Sequence, residues 1–121
     1  MKMLKTLIVE DDESSSKLIS IVMSKFGHEI INVRTGNEAV EACRLHPDLD
    51  LVLMDIQIPE MDGYEATRII RQFNKSVIII AQTAFALAGD REKAIDAGCT
   101  DYISKPIKRD ELNAIIQKHF K

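Results

Sequence analysis

The chain has 121 residues, with 16 basic and 19 acidic side chains for a net charge of −3, the wrong sign for a domain that grips nucleic acid by displacing counterions. At 45% hydrophobic residues it can bury a core of its own, as single domains of about 100–200 residues do, while no apolar run approaches the roughly 18 residues of a membrane span. The start Met1-Lys2-Met3-Leu4-Lys5 is unlike a signal peptide, and Cys43 and Cys99 stand far apart, the habit of small buried hydrophobes in a cytoplasmic protein.

The first strand is expected at Leu7-Ile8-Val9, followed by four adjacent acids, Glu10-Asp11-Asp12-Glu13. A helix then starts around Ser14-Ser15-Ser16, with a stripe through Leu18, Val22 and Phe26 beside Ile19 and Met23, and stops at Gly27. Ile30-Ile31-Asn32-Val33 reads as the second strand, and Ala39, Val40 and Cys43 mark a helix after Asn37 that ends before Pro47. The third strand, Leu51-Val52-Leu53-Met54, runs into Asp55, and a helix through Ala66, Ile70 and Phe73 follows. Val77-Ile78-Ile79-Ile80-Ala81 is the fourth, ending in Gln82-Thr83-Ala84, and the helix after it carries Leu87, Ala94 and Ile95 up to Gly98. Tyr102-Ile103 forms a short fifth strand before Ser104-Lys105-Pro106; Leu112, Ile115, Ile116 and Phe120 stripe the last helix, with Asp110 placed to cap it.

Five β-α units in alternation, without internal repeat or linker, predict one doubly wound α/β domain over residues 1–121. The apolar runs lack strict alternation, so the strands are expected to be parallel and buried on both faces. Sites in such folds lie beyond the carboxyl ends of the strands. There the sequence sets Glu10, Asp11 and Asp55, a three-carboxylate cluster if the first and third strands are neighbours, and hard oxygen ligands suit Mg²⁺. Asp12 and Glu13 suit the N-terminus of the following helix, whose dipole favours negative charge. Thr83 alone reads as a helix cap and Lys105 alone as a surface lysine. Together with the carboxylates they compose a phosphoryl-transfer site: an oxygen nucleophile, a divalent ion, a cation and a hydroxyl donor.

The stretches Leu7-Ile8-Val9-Glu10-Asp11-Asp12, Met54-Asp55-Ile56-Gln57-Ile58-Pro59-Glu60-Met61-Asp62-Gly63, Thr83-Ala84, Ala97-Gly98 and Lys105-Pro106 together resemble the receiver domain of two-component response regulators. The wording around Asp55 is most similar to receivers of hybrid sensor kinases. The resemblance implies a flavodoxin-like fold with strand order 2-1-3-4-5 and a reversible aspartyl-phosphate switch. It implies Asp55 as phosphoacceptor, with Mg²⁺ bound by Asp11, Asp55 and the backbone carbonyl of Gln57, and by Glu10 through water. Lys105 would pair with the phosphoryl oxygens, and Pro106 is similar to a proline that follows a cis bond in this family. Thr83 and Tyr102 would be the switch residues, acting on the surface of the fourth helix, fifth strand and fifth helix. The implied partners are a histidine kinase or histidine phosphotransfer protein and a downstream target or attached domain, the chain being a monomer or a phosphorylation-dependent dimer.

An aspartyl-nucleophile phosphatase is disfavoured because Gln57 stands where a general acid/base would be needed, and a dinucleotide site because no G-x-G-x-x-G follows the first strand. A pseudo-receiver that binds without switching is the remaining alternative. Gln57 and Phe85 flank the path of a hydrolytic water in this family, and neither can act as a base, so slow self-dephosphorylation is expected. His28, His46 and His119 are too separated for a metal cluster, and His46 and His119 suit helix C-termini.

Overall fold

The computed structural model describes residues 3–83 and 89–120. Its elements are β1 (Lys5–Val9), α1 (Glu13–Lys25), β2 (Glu29–Val33), α2 (Gly36–Leu45), β3 (Leu51–Asp55), α3 (Gly63–Phe73), β4 (Ile78–Thr83), α4 (Asp90–Ala97), β5 (Asp101–Ser104) and α5 (Arg109–His119). The strands form one parallel sheet in the order β2-β1-β3-β4-β5. This is the flavodoxin-like order implied by the resemblance, and it makes β1 and β3 neighbours.

Residues alternate across the sheet with the period of two that a strand imposes. Leu7, Val9, Val52, Met54, Ile79 and Ala81 pack on one face against Ala39 and Cys43 of α2, Ala66 and Ile70 of α3, and Ala94 of α4. Ile8, Leu51, Leu53, Ile80 and Ile103 pack on the other against Ile19 and Met23 of α1 and Leu112 and Ile116 of α5. Burying each large aliphatic side chain contributes about 1.5–3 kcal/mol relative to leaving it in water. All five residues of the central β3 are buried, so the strand ending in Asp55 is fixed from both sides.

Several sequence expectations are corrected. The first helix starts at Glu13, ahead of Ser14, because Asp12 caps it, its Oδ2 accepting from the Ser15 N–H at 3.0 Å. Its buried residues are Ile19 and Met23, while Leu18 is 58% exposed; the apolar stripe is wider than the sheet it covers, and Leu18 falls on its outer edge. Strand β2 is not buried on both faces: as an edge strand it leaves Glu29 and Asn32 exposed, and Asn32 accepts hydrogen bonds from the Ser16 and Ser20 hydroxyls of α1. Helix α2 begins at Gly36 behind a capping box of Thr35 and Glu38, one residue earlier than the start expected from Asn37.

Phe73 and Ile95 are exposed rather than core, and the Arg44 guanidinium lies 4.5 Å from the Phe73 ring centroid. Helix α4 buries only small side chains, Ala94 and Ala97, and Leu87 lies outside the described residues. Asp110 does not cap the last helix; Lys108 occupies the cap without a side-chain bond, and Asp110 stands exposed one position inside the first turn. Gly27 and Gly98 do end their helices with positive φ, 81° and 108°.

Candidate functional site

The sheet's carboxyl edge brings together residues from four strands. Glu10, one step past β1, continues the ladder through its N–H to the Val33 carbonyl at 3.1 Å. Asp55 closes β3 and stands in register with Gln82 of β4. Gly63 opens α3 directly against this end: a Cβ there would lie 2.5 Å from the Asp55 carbonyl oxygen, so only glycine lets the helix approach so closely. The Lys105 N–H donates to the Thr83 carbonyl at 2.7 Å, which anchors the loop after β5 beside β4. The Lys105-Pro106 bond is cis, as the resemblance implied.

Period two sends Glu10, Asp55, Gln82 and Lys105 to the sheet face shared with Ile8, Leu53, Ile80 and Ile103. The Lys105 ammonium donates to Glu10 Oε1 at 2.8 Å and to Asp55 Oδ2 at 2.9 Å. The second oxygen of each carboxylate is taken by backbone: Glu10 Oε2 accepts from the Asp12 N–H and Asp55 Oδ1 from the Gln57 N–H, both at 3.1 Å. Glu10 and Asp55 are only 2% and 3% exposed, whereas Asp11 is half-buried. Carboxylate oxygens of all three lie within 4.8 Å of one another.

Burial raises the Glu10 pKa, and the adjacent Asp55 raises it further, against the opposing pull of Lys105. Burial works against the Lys105 charge, yet its hydrogen bonds to Glu10 and Asp55 outweigh this and hold its pKa above the ordinary lysine value. Glu10 and Asp55, both almost fully buried, thus share one ammonium, with the half-buried Asp11 close beside them. An all-oxygen, electron-rich cluster with a half-open side at Asp11 is the donor set that a small hard dication takes.

Thr83 is half-buried and its hydroxyl lies 3.4 Å from Asp90 Oδ2 at the start of α4. Tyr102 is half-buried too, but packs on the opposite sheet face, with the α2–α4 side of the core. Gln57 is exposed. Ala84 and Phe85 lie outside the described residues.

Two neighbours escaped the sequence reading. Arg34, just after β2, reaches across to donate from Nη2 to the Asp11 backbone carbonyl at 3.0 Å, and so steadies the acidic loop from the adjacent strand; no spacing marks such a contact. Gln82 is wholly buried, and neither side-chain amide atom has a hydrogen-bond partner among the described residues; a glutamine after four apolar residues of the same strand was its signal. Among the histidines, His28 is buried, its Nδ1 accepting from the Leu4 N–H at 3.0 Å, and His119 lies 2.9 Å from Asp101.

The chain is similar to known proteins in both sequence and fold. Residues 6–117 match the family model described as the response regulator receiver domain. The polar-differentiation response regulator DivK of Brucella ovis is 44% identical over 103 residues, covering 84% of this chain and 83% of that protein. The receiver domain of a Pseudomonas aeruginosa sensor histidine kinase, solved with a magnesium ion in its active-site cleft, superimposes with a TM-score of 0.88 at 40% identity over 97% of both chains. The receiver domain of Ssk1 from Saccharomyces cerevisiae, solved with the histidine phosphotransfer protein Ypd1, gives 0.86 at 32% identity over 96% of this chain and 86% of that one. Fold and sequence agree along nearly the whole chain, which therefore belongs to the response regulator receiver domains of two-component signalling.

Proposed function

We propose that residues 1–121 form one receiver domain that accepts a phosphoryl group on Asp55 from a phosphohistidine, carried by a histidine kinase or a histidine phosphotransfer protein. A carboxylate oxygen of Asp55 forms the new O–P bond as the P–N bond breaks, and the departing imidazole keeps the electron pair. The observation that carries this reading is the Asp55 carboxylate, almost fully buried yet held between one ammonium and two further acids.

Lys105 remains charged through its two carboxylate partners and turns its ammonium to the phosphoryl oxygens. Asp11, Asp55 and the Gln57 backbone carbonyl would hold Mg²⁺, with Glu10 acting through water; the oxygen-only donor set fits it, and the magnesium in the Pseudomonas relative supports the assignment. When bound, the ion supplies positive charge that offsets repulsion between the carboxylate and an anionic phosphate. The Gln57 N–H and Lys105 Nζ already fix the Asp55 carboxylate, so its orientation is set before a donor arrives.

Thr83 and Tyr102 are the switch: the Thr83 hydroxyl turns from the start of α4 to a phosphoryl oxygen, Tyr102 follows, and the α4-β5-α5 surface changes for a downstream target or attached domain. The domain assists its own phosphorylation and dephosphorylation in the cytoplasm and is otherwise no enzyme. It works as a monomer or as a phosphorylation-dependent dimer. The yeast relative's complex with a phosphotransfer protein supports the choice of donor. Incubation with acetyl phosphate and magnesium is expected to add one phosphoryl mass, absent in Asp55→Asn and in excess chelator. A full signal in either would sink the assignment.

A further inference from the structure

Arg34 sits where two backbone frames meet. Its neighbour Val33 closes β2 and accepts the ladder bond from the Glu10 N–H at 3.1 Å. Its own N–H donates to Glu38 Oε1 at 2.8 Å, in the capping box that starts α2. The backbone that carries the side chain is thus tied on both sides, and the exposed guanidinium lines a polar groove with Glu10, Glu13 and Lys17. Two acids share that groove, yet Arg34 forms no ion pair among the described residues. Its Nη2 donates instead to the Asp11 backbone carbonyl at 3.0 Å.

That carbonyl belongs to a peptide group held at both polar ends. The other end, the Asp12 N–H, donates to Glu10 Oε2 at 3.1 Å, and Glu10 Oε1 accepts from the Lys105 ammonium at 2.8 Å. Because the peptide is planar and trans, its carbonyl and its N–H point in opposite directions and turn together. A flip of the plane would aim the Asp11 oxygen at the Glu10 carboxylate and leave the N–H facing away. Arg34 opposes the flip, and a cation on the carbonyl also polarises the peptide, so that its N–H becomes a stronger donor to Glu10. Contacts in series thus run from an exposed guanidinium to a carboxylate that is 2% exposed.

We infer that Arg34 is a positioning residue for the divalent-cation site: through the Asp11-Asp12 peptide it fixes the Glu10 carboxylate and the Asp11 loop in the arrangement that takes the ion. This role rests on the magnesium site proposed above, since Glu10 and Asp11 are two of its three acids. The sign of its effect separates it from plain electrostatics. A guanidinium beside a dication site repels the ion, so charge alone makes the removal of Arg34 tighten binding, by an amount that salt diminishes. Where Arg34 positions the acids, its removal weakens binding instead, as loss of a partner that orients a metal ligand does.

Magnesium titration of the unphosphorylated protein, followed by ¹H–¹⁵N NMR at residues 10–12 and 55–57, tests the role. Arg34→Met is expected to bind magnesium about tenfold more weakly, the lower end for outer partners of metal ligands, at low and at high salt alike. In the magnesium-free variant the Asp12 amide proton should move upfield, as a donor does when its hydrogen bond weakens. Lys17→Met removes a like charge from the same groove and should leave binding unchanged or tighter. An Arg34→Met protein that binds as tightly as the wild type, or more tightly, overturns the proposal, and so does an Asp12 amide proton that stays in place. Equal weakening in Lys17→Met overturns it too, because the loss would then not depend on the peptide clamp. A wild type that takes up no magnesium overturns the metal site itself and this role with it. A wild type that binds beside an unaffected Arg34→Met overturns this role alone.

Discussion

The two ends of the sheet handle buried charge in opposite ways. At the amino edge, Asp101 is one carboxylate with two basic neighbours, His119 at 2.9 Å and Lys118 at 3.3 Å, and it also accepts from the Tyr102 N–H at 2.8 Å. Asp50 there accepts from the Lys5 N–H at 2.9 Å, and Lys5 Nζ reaches Asp48 at 3.0 Å. At the carboxyl edge the ratio is inverted, with Glu10, Asp11 and Asp55 around Lys105. An edge in which acids are outnumbered by donors contributes to stability. One in which acids outnumber cations is costly to fold and ready to take positive charge or a phosphoryl group.

The sharpest way to break this contrast is to remove one charge at the carboxyl edge. Lys105→Met strands two carboxylates, Glu10 and Asp55, that are buried to within a few per cent. Losing one partner of a buried ion pair costs about 3–5 kcal/mol, and the partial exposure of the Lys105 side chain, 26%, brings this to about 2–4 kcal/mol. Asp55→Asn should act with the opposite sign, since it relieves carboxylate repulsion, and gain about 1 kcal/mol. Urea unfolding of both proteins without magnesium gives the answer. A stabilised Lys105→Met or a destabilised Asp55→Asn would mean the edge is a set of ordinary matched pairs.

The legibility of each edge follows from how its groups are held. Glu10, Asp55, Thr83 and Lys105 could be read from sequence because each directly follows or ends a strand, with Asp11 one residue further on, and a parallel sheet puts all such residues on one rim. Leu112 and Ile116 were equally plain, since a helical stripe over a sheet has few ways to pack. Arg34 and the Asp101-His119 pair were not legible: their contacts span 23 and 18 residues and depend on side-chain reach rather than period. The exposure of Leu18 and Ile95 was misjudged because apolar periodicity gives a helix's inner face only to within a residue or so, and neighbouring helices decide the remainder.

A smaller effect is expected at the amino edge. Burial alone would raise the Asp101 pKa, but the bonds from His119, the Tyr102 N–H and Lys118 outweigh it and hold the carboxyl below the ordinary aspartate value. A depressed carboxyl contributes stability above its unfolded pKa near 3.8, and that contribution is lost as pH falls through the lower folded value. Asp101→Asn at neutral pH should therefore destabilise by about 1–2 kcal/mol, the worth of charge-assisted bonds partly open to solvent. Set beside Asp55→Asn, the same chemical change should give opposite signs at the two edges, and equal signs in thermal unfolding would erase the contrast.

The smallest effect concerns His28, a group at the amino edge that is not fully matched: its Nδ1 accepts from the Leu4 N–H, while its buried Nε2 has no partner among the described residues. The bond requires a neutral ring with the proton on Nε2. Protonating Nδ1 would turn two donors against each other in a place that water does not reach, and burial accordingly lowers the His28 pKa from its ordinary 6.5. Below that value the unfolded chain binds a proton that the folded one refuses, so stability falls as pH drops from about 6.5 toward the lower folded pKa. Glu10, whose pKa is raised, acts in the reverse direction over the acid range, so the wild-type curve alone cannot isolate the histidine. Comparison with His28→Asn does, because the asparagine oxygen can still accept from Leu4 but does not titrate. The variant should begin less stable at about pH 7.5 and lose less than the wild type on descent to about pH 5.5, so that the two urea midpoints converge. Curves that stay parallel across this interval would show that His28 takes up its proton without leaving the Leu4 bond, and the amino edge would then contain no cost that protons can reach above the range of its carboxylates.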